Sequence, residues 1–195
     1  MLSFSPPVTA LTTSEILRFD KAPTIDGVLA KDEWGAPDIF VPDYDTSTIP
    51  GDASKEHLSG QVYLGYDDTH LYFALQATYD THQNTQTGYD LYRQNAVQMQ
   101  ISTDGEQGRN ALCFALNSDT GHSLAYNSTS KNTWEISETG KEFYIRREGQ
   151  VTTYELAIPL SWFSTRATLQ QGDTLALSFA IPMHNGYYYE WKGGI

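Results

Sequence analysis

The stretch Gln61-Val62-Tyr63-Leu64-Gly65-Tyr66, followed by Asp67-Asp68-Thr69-His70 and then Leu71-Tyr72-Phe73-Ala74-Leu75-Gln76-Ala77-Thr78, decides the fold. Both outer runs carry the alternation and aromatic content of strands, and the four residues between them have turn chemistry, so the stretch predicts a β-hairpin. Outward from it, the same two-residue period predicts strands at Ala96–Ser102, Ala111–Asn117, Ser123–Tyr126, Thr133–Ser137, Phe143–Arg147, Thr152–Ile158, Thr174–Met183 and Tyr187–Trp191. In the first of these Val97, Met99 and Ile101 point one way while Gln98 and Gln100 point the other, the mark of a strand with one wet face. Helical periodicity is nearly absent. Pro159-Leu160-Ser161-Trp162-Phe163 predicts a single helical turn with Pro at its first position.

Short strands separated by Gly, Asp and Asn turns predict an all-β fold, an antiparallel β-sandwich of jelly-roll or immunoglobulin-like kind. The segment from Val41 to Gly60 is rich in Pro, Asp, Ser and Thr and reads as a long surface loop. No repeat or linker divides the 195 residues, so residues 1–195 are expected to form a single domain. Apolar residues at 39% and aromatic residues at 13%, including 13 Tyr, supply enough material for a packed core.

Charge narrows the partners. Twelve Lys and Arg against 24 Asp and Glu leave a net of −12, and such a surface repels phosphate backbones and anionic lipid. The expected partners therefore include no nucleic acid and no membrane. A single cysteine, Cys113, excludes an intrachain disulfide and a cysteine-rich zinc site, and its apolar run Ala111–Leu116 places it in the core. The N-terminus lacks the basic start and apolar centre of a signal peptide.

Three separated pieces resemble the family 9 carbohydrate-binding modules and their wider β-sandwich relatives. Pro23-Thr24-Ile25-Asp26-Gly27-Val28-Leu29-Ala30-Lys31-Asp32-Glu33-Trp34 is similar to that family's "IDG-x-x-x-x-x-E-W" opening. Val62–Phe73 is similar to its hairpin "v-x-l-x-y-D-x-x-x-L-Y-f", and Asp90–Ile101 to its "W-x-x-D-S-V-E-x-x-I" strand. Glu190-Trp191-Lys192-Gly193-Gly194 resembles its "W-x-G-G" segment, although the strand that follows there is not in this sequence. The resemblance implies a sandwich that binds sugars without cleaving them. Two aromatic rings enclose a sugar at the end of a glycan, polar side chains bond its hydroxyls, no cofactor is required, and calcium, where held, is structural. It also implies a module of an exported, polysaccharide-acting protein, extracellular or at the cell surface, with other domains as neighbours.

On this pattern Tyr92 takes the place of the family's tryptophan, and Trp191 is its expected stacking partner. Each has a second reading: Tyr92 as an exposed loop residue, and Trp191 as core, because Tyr187, Tyr189 and Trp191 share one face of their strand. Trp134, flanked by polar residues, is a third aromatic candidate, whereas Trp34 reads as core. Gln98 and Asn117 are expected beneath the sugar, with Asn95 and Arg93 at its rim, or else as ordinary solvated strand residues. Asn95 and Gln98 stand where the family carries acids, so they can donate as well as accept hydrogen bonds. The family's arginine on the following strand is missing from Ala111–Asn117. The Asp67-Asp68 pair could hold a hard cation or simply make its turn. No nucleophile elbow, phosphate loop or two-histidine zinc motif is present, so catalysis is not expected and no catalytic or metal-ligating residue is assigned.

Two rival classes stay open. One is a ligand-less structural or accessory domain that packs against a catalytic domain. The other is a haem-binding electron-transfer domain, with Met99, Met183 and His184 as the residues that could reach iron.

Overall fold

The computed structural model describes residues 15–45, 56–102, 110–128, 135–137, 143–162 and 169–191. Two six-stranded sheets face one another. Sheet A is built around β3 (His57–Tyr66) and β4 (His70–Tyr79), joined by the expected hairpin, with Val62 opposite Leu75 and Tyr66 opposite Leu71. β10 (Val151–Pro159) pairs with β4, and β9 (Phe143–Glu148) closes that side. β1 (Leu17–Arg18) and β2 (Ile39–Asp45) share the other edge of β3. Sheet B runs in the order β12 (Tyr188–Trp191), β11 (Ala176–Pro182), β5 (Val97–Ser102), β6 (Asn110–Asn117), β7 (Gly121–Ser128) and β8 (Glu135–Ser137). Among the described residues every pairing is antiparallel except the short parallel contact of β1 with β3.

Alternation along the strands explains the core. Val62, Leu64, Phe73, Leu75, Tyr154 and Leu156 point inward from sheet A to meet Val97, Met99, Leu112, Phe114, Phe179 and Ile181 from sheet B. Aromatic edges lock the layers: Phe73 lies edge-on to Phe114 at 6.1 Å and to Phe179 at 5.9 Å, and Phe114 edge-on to Tyr154 at 5.8 Å. Met99 and Met183 are both part of this core.

The outward face of sheet A is covered by the chain itself. Residues 19–34, ending in α1 (Lys31–Trp34), lay Phe19 and Trp34 over Tyr72, Ala74 and Ala157. The Ile25-Asp26-Gly27 piece has a clear role there. Glu155, buried on β10, accepts backbone hydrogen bonds from Asp26, at 2.8 Å, and from Gly27 through its Oε2. Gly27 has φ +84°, and a Cβ there would lie 2.7 Å from the Arg146 Cβ and 3.0 Å from the Tyr144 ring. Asp26 Oδ1 completes the turn by accepting from the Val28 amide at 3.0 Å.

The segment read as a loop from Val41 to Gly60 is strand at both ends: β2 continues to Asp45 and β3 begins at His57, with Val41 and Leu58 in the core. Pro42 obscured β2, since proline is tolerated in a sheet only at an edge or a bulge, and β2 has both, with a register shift between Val41 and Tyr44. Residues 46–55 lie outside the described part. The helical turn expected after Pro159 is found as a 3₁₀ turn at Leu160–Trp162.

Candidate functional site

The outward face of sheet B carries polar side chains on β5 and β12. Registers place Gln98 beside Cys113 and Ala180, and Gln100 beside Ala111 and Ser178, with Glu190 next to Ala180 at the edge strand. Two half-buried amide side chains therefore rise from a floor of small residues. Tyr188, 58% exposed, stands on the same face opposite Pro182. Gln100 and Tyr188 were not among the expected site residues. The alternation that set Gln98 outward set Gln100 beside it and was the signal available for finding it.

Between β4 and β5 the chain leaves the sheets for an excursion over residues 80–96, whose middle is a 3₁₀ segment, Gly88–Arg93. Leu91 is fully buried against Ala96, Cys113 and Ala115 on the outward face, and Tyr92 packs on the same cluster, half-buried. Asn84, also fully buried, holds the excursion closed: its Nδ2 donates to the carbonyls of Leu91 and Asn95, both at 2.9 Å, and its Oδ1 accepts from the Gln86 amide at 2.9 Å. Gln94 Oε1 accepts from the Thr85 amide at 2.8 Å.

Two expected sugar ligands belong to this scaffold. Asn95 is fully buried, its Oδ1 accepting from the Gln83 amide at 2.9 Å and its Nδ2 enclosed without a partner. Asn117, at the end of β6, is 2% exposed. It donates to the Gln86 carbonyl at 2.7 Å and accepts from the amides of Asp119 and Thr120 at 2.8 and 3.0 Å. Both amides support the loop that presents Tyr92.

The two expected stacking residues lie on opposite faces of sheet B. Trp191 is opposite Phe179 on β11 and stacks on it at 5.4 Å with an interplanar angle of 16°, on the core side. Tyr92 is on the outward side, with the Arg93 guanidinium 5.4 Å above its ring. Arg93 is oriented by Asp90, to which its Nε donates at 2.6 Å. Trp134 lies outside the described residues. The structure thus puts Tyr92, with Arg93 over its ring, and Gln98 on the outward face of sheet B and Trp191 on the other, while Asn95 and Asn117 belong to the scaffold of the excursion.

Asp67 makes its turn. Its Oδ1 accepts from the amides of Thr69 and His70, and its Oδ2 accepts from the Tyr72 hydroxyl at 2.6 Å. These bonds hold its carboxyl below the usual range against the opposing effect of burial. Asp68 pairs with Arg18 at 2.7 Å. Among the described residues no group of three or more His, Cys, Asp and Glu side chains could hold a metal ion, and no helix is long and apolar enough to cross a membrane. Burial pushes the Cys113 thiol far up, so it is an inert core residue under Leu91 and Tyr92.

The registers above define a two-sheet antiparallel β-sandwich with one self-covered face and one face bearing polar side chains. No family model matches the chain, and no curated protein matches it. Among solved structures it is similar to a family 9 carbohydrate-binding module from Caldicellulosiruptor kristjanssonii in complex with cellotriose, at 15% identity over 90% of this chain and 80% of that chain, with TM-score 0.48. The same module in complex with glucose matches at 15% identity over 90% and 81%, again with TM-score 0.48. A Bacteroides uniformis protein provisionally described as carbohydrate-binding matches at 12% identity over 78% and 76%, with TM-score 0.48.

Proposed function

We propose that this chain is a single-domain, non-catalytic carbohydrate-binding module whose site is the outward face of sheet B around Tyr92. The observation that carries the reading is the packing of Tyr92 on the Leu91, Ala96, Cys113 and Ala115 cluster of the outward face, on which Gln98 is the register partner of Cys113. An aromatic ring covers the C–H face of a pyranose, and neutral amides bond its hydroxyls in both directions. Each such hydrogen bond contributes a net of about 1 kcal/mol, so the site binds with Kd on the order of micromolar to millimolar. In this reading Tyr92, Gln98 and Gln100 touch the sugar, Arg93 and Tyr188 border it, and Asn84, Asn95 and Asn117 position Tyr92. The partner is a neutral saccharide, and the module serves an exported polysaccharide-acting protein outside the cell.

Calorimetric titration with a panel of soluble oligosaccharides, with and without EDTA, tests this. Saturable binding that Tyr92→Ala and Gln98→Ala each weaken is the expected result. The accessory-domain reading is favoured by one observation, the inward stacking of Trp191 on Phe179, which takes the expected stacking partner of Tyr92 off the outward face. Heats that stay flat across the panel would favour it.

A further inference from the structure

His82 stands where the chain leaves β4 for the excursion that carries Tyr92. Its Nε2 donates to the Leu116 carbonyl at 2.9 Å, and its ring stacks on Tyr79 at 6.0 Å with an interplanar angle of 22°. The other nitrogen, Nδ1, is buried without a partner. The charged and titratable groups around this end of the sandwich are of both signs. Arg147, from β9, sets its guanidinium over the Tyr79 ring at 5.5 Å and donates to the Tyr79 carbonyl at 3.2 Å. His184, from the turn after β11, also has its Nδ1 buried without a partner, and its Nε2 is 3.7 Å from Glu56 Oε1. Glu56, before β3, accepts from the Thr81 amide at 3.0 Å through Oε2. The hydroxyls of Tyr79 and Tyr154 bond each other, and Asp80 is engaged by His57 and by Gln150, each at 2.9 Å.

A proton on His82 Nδ1 would be enclosed without an acceptor and close to Arg147 and His184. Burial pushes this imidazole below the ordinary histidine range, the Leu116 bond opposes that, and Arg147 and His184 add to it. The consequence reaches the site through the next residue. Gln83 donates to Asn95 Oδ1 at 2.9 Å and accepts from the Asn95 amide at 3.1 Å, so the residue after His82 ties down the far end of the excursion.

The geometry points to an acid-sensitive anchor: protonation of His82 loosens the segment over residues 83–96 and withdraws Tyr92 from the outward face, so that ligand is released on acidification. The ligand in this statement rests on the sugar-binding reading above, while the loosening does not. By linkage, the neutral imidazole favours the closed state, so closure is complete above the ordinary histidine range and is lost as pH falls through the lower value of the folded protein.

Cys113, the chain's one cysteine and 2% exposed beneath Leu91 and Tyr92, reports closure without any ligand. A pyridyl disulfide labels it at about pH 7.5 and about pH 5.5, on either side of an ordinary imidazole, with rates normalised to the urea-unfolded chain at the same pH. As pH falls below the ordinary histidine value the normalised rate should rise by up to about tenfold per unit, the slope of a single linked proton, and level off where His82 titrates in the closed state. His82→Gln keeps a side-chain N–H for the Leu116 carbonyl but cannot titrate, and its rate should be flat. Wild-type protection that is equal at both pH values overturns the proposal, as does a pH dependence that persists in His82→Gln. If that variant fails to fold, wild-type NMR decides: amide exchange of residues 83–96 must follow the His82 imidazole titration, and exchange that ignores it overturns the proposal. Oligosaccharide titration of the same samples separates the two readings. Acid-induced labelling with no sugar bound at either pH rejects the sugar site and leaves the anchor standing.

Discussion

The side-chain amide of Asn84 donates to two backbone carbonyls seven and eleven residues further on, Leu91 and Asn95, each at 2.9 Å. One buried NH2 group thus closes the excursion that lays Leu91 and Tyr92 on the outward face of sheet B. The local backbone offers little substitute, because a 3₁₀ segment of six residues satisfies few of its own polar groups. Its neighbours Asn95 and Asn117 extend the same scaffold.

Asn84→Ala leaves two buried carbonyls without their donor, and each such loss costs about 1–3 kcal/mol. The expected result is a loss of roughly 2–6 kcal/mol in urea unfolding, together with faster labelling of Cys113. Stability equal to wild type would show that the excursion does not depend on this amide.

Gly27→Ala and Gly65→Ala should both destabilise, for different reasons. At Gly27 the positive φ and the 2.7 Å approach of the Arg146 Cβ combine, while at Gly65 a Cβ would lie 2.2 Å from the Phe19 ring and force that ring off the sheet. Losses of about 1–3 kcal/mol each are expected in thermal or urea unfolding. The Gly65 variant should also expose Phe19 and Trp34, read as a red shift of tryptophan emission.

Glu155 makes stability fall with rising pH. Burial pushes its carboxyl up to about 7, the amides of Gly27 and Asp26 resist that, and its Oε1 lies by the Trp34 indole without a well-formed hydrogen bond. A raised acid favours the protonated fold, so its contribution is complete below the unfolded value of 4.5 and is lost as pH rises to about 7. The loss is on the order of 3 kcal/mol at most, at about 1.4 kcal/mol per unit. In Glu155→Gln that downward trend should vanish, which urea titrations at several pH values will check.

The two aromatic candidates should separate cleanly. Trp191→Ala removes a half-buried ring stacked on the core residue Phe179 and should cost about 3 kcal/mol of stability. Tyr92→Ala, on a half-buried ring outside the main core, should cost less, about 1–2 kcal/mol, while weakening oligosaccharide binding at least about tenfold. Equal losses of stability in both variants would contradict the placement of the two rings on opposite faces.

Much of this was readable in the one-dimensional pattern because a strand's period of two is local. The hairpin over residues 61–78, the split of Val97, Met99 and Ile101 from Gln98 and Gln100, and the shared face of Tyr187, Tyr189 and Trp191 all follow from side chains alternating along a single strand. β2 escaped notice because Pro42 and a bulge break that alternation at an edge. The amides were harder still. An asparagine offers the same donors and acceptors to a sugar as to a carbonyl, and nothing near Asn95 or Asn117 in the chain says which it meets. That was decided by Asn84, Gln83 and Gln86, brought alongside only when the excursion folds onto sheet B. Likewise, alternation grouped Trp191 with its two tyrosines, but which side of sheet B faces the core was decided by sheet A packing over Phe179. Periodicity therefore determined the layers and the wet faces. Non-local hydrogen bonding and packing decided which polar and aromatic groups remained at the surface, because burial and satisfaction are properties of the assembled neighbours.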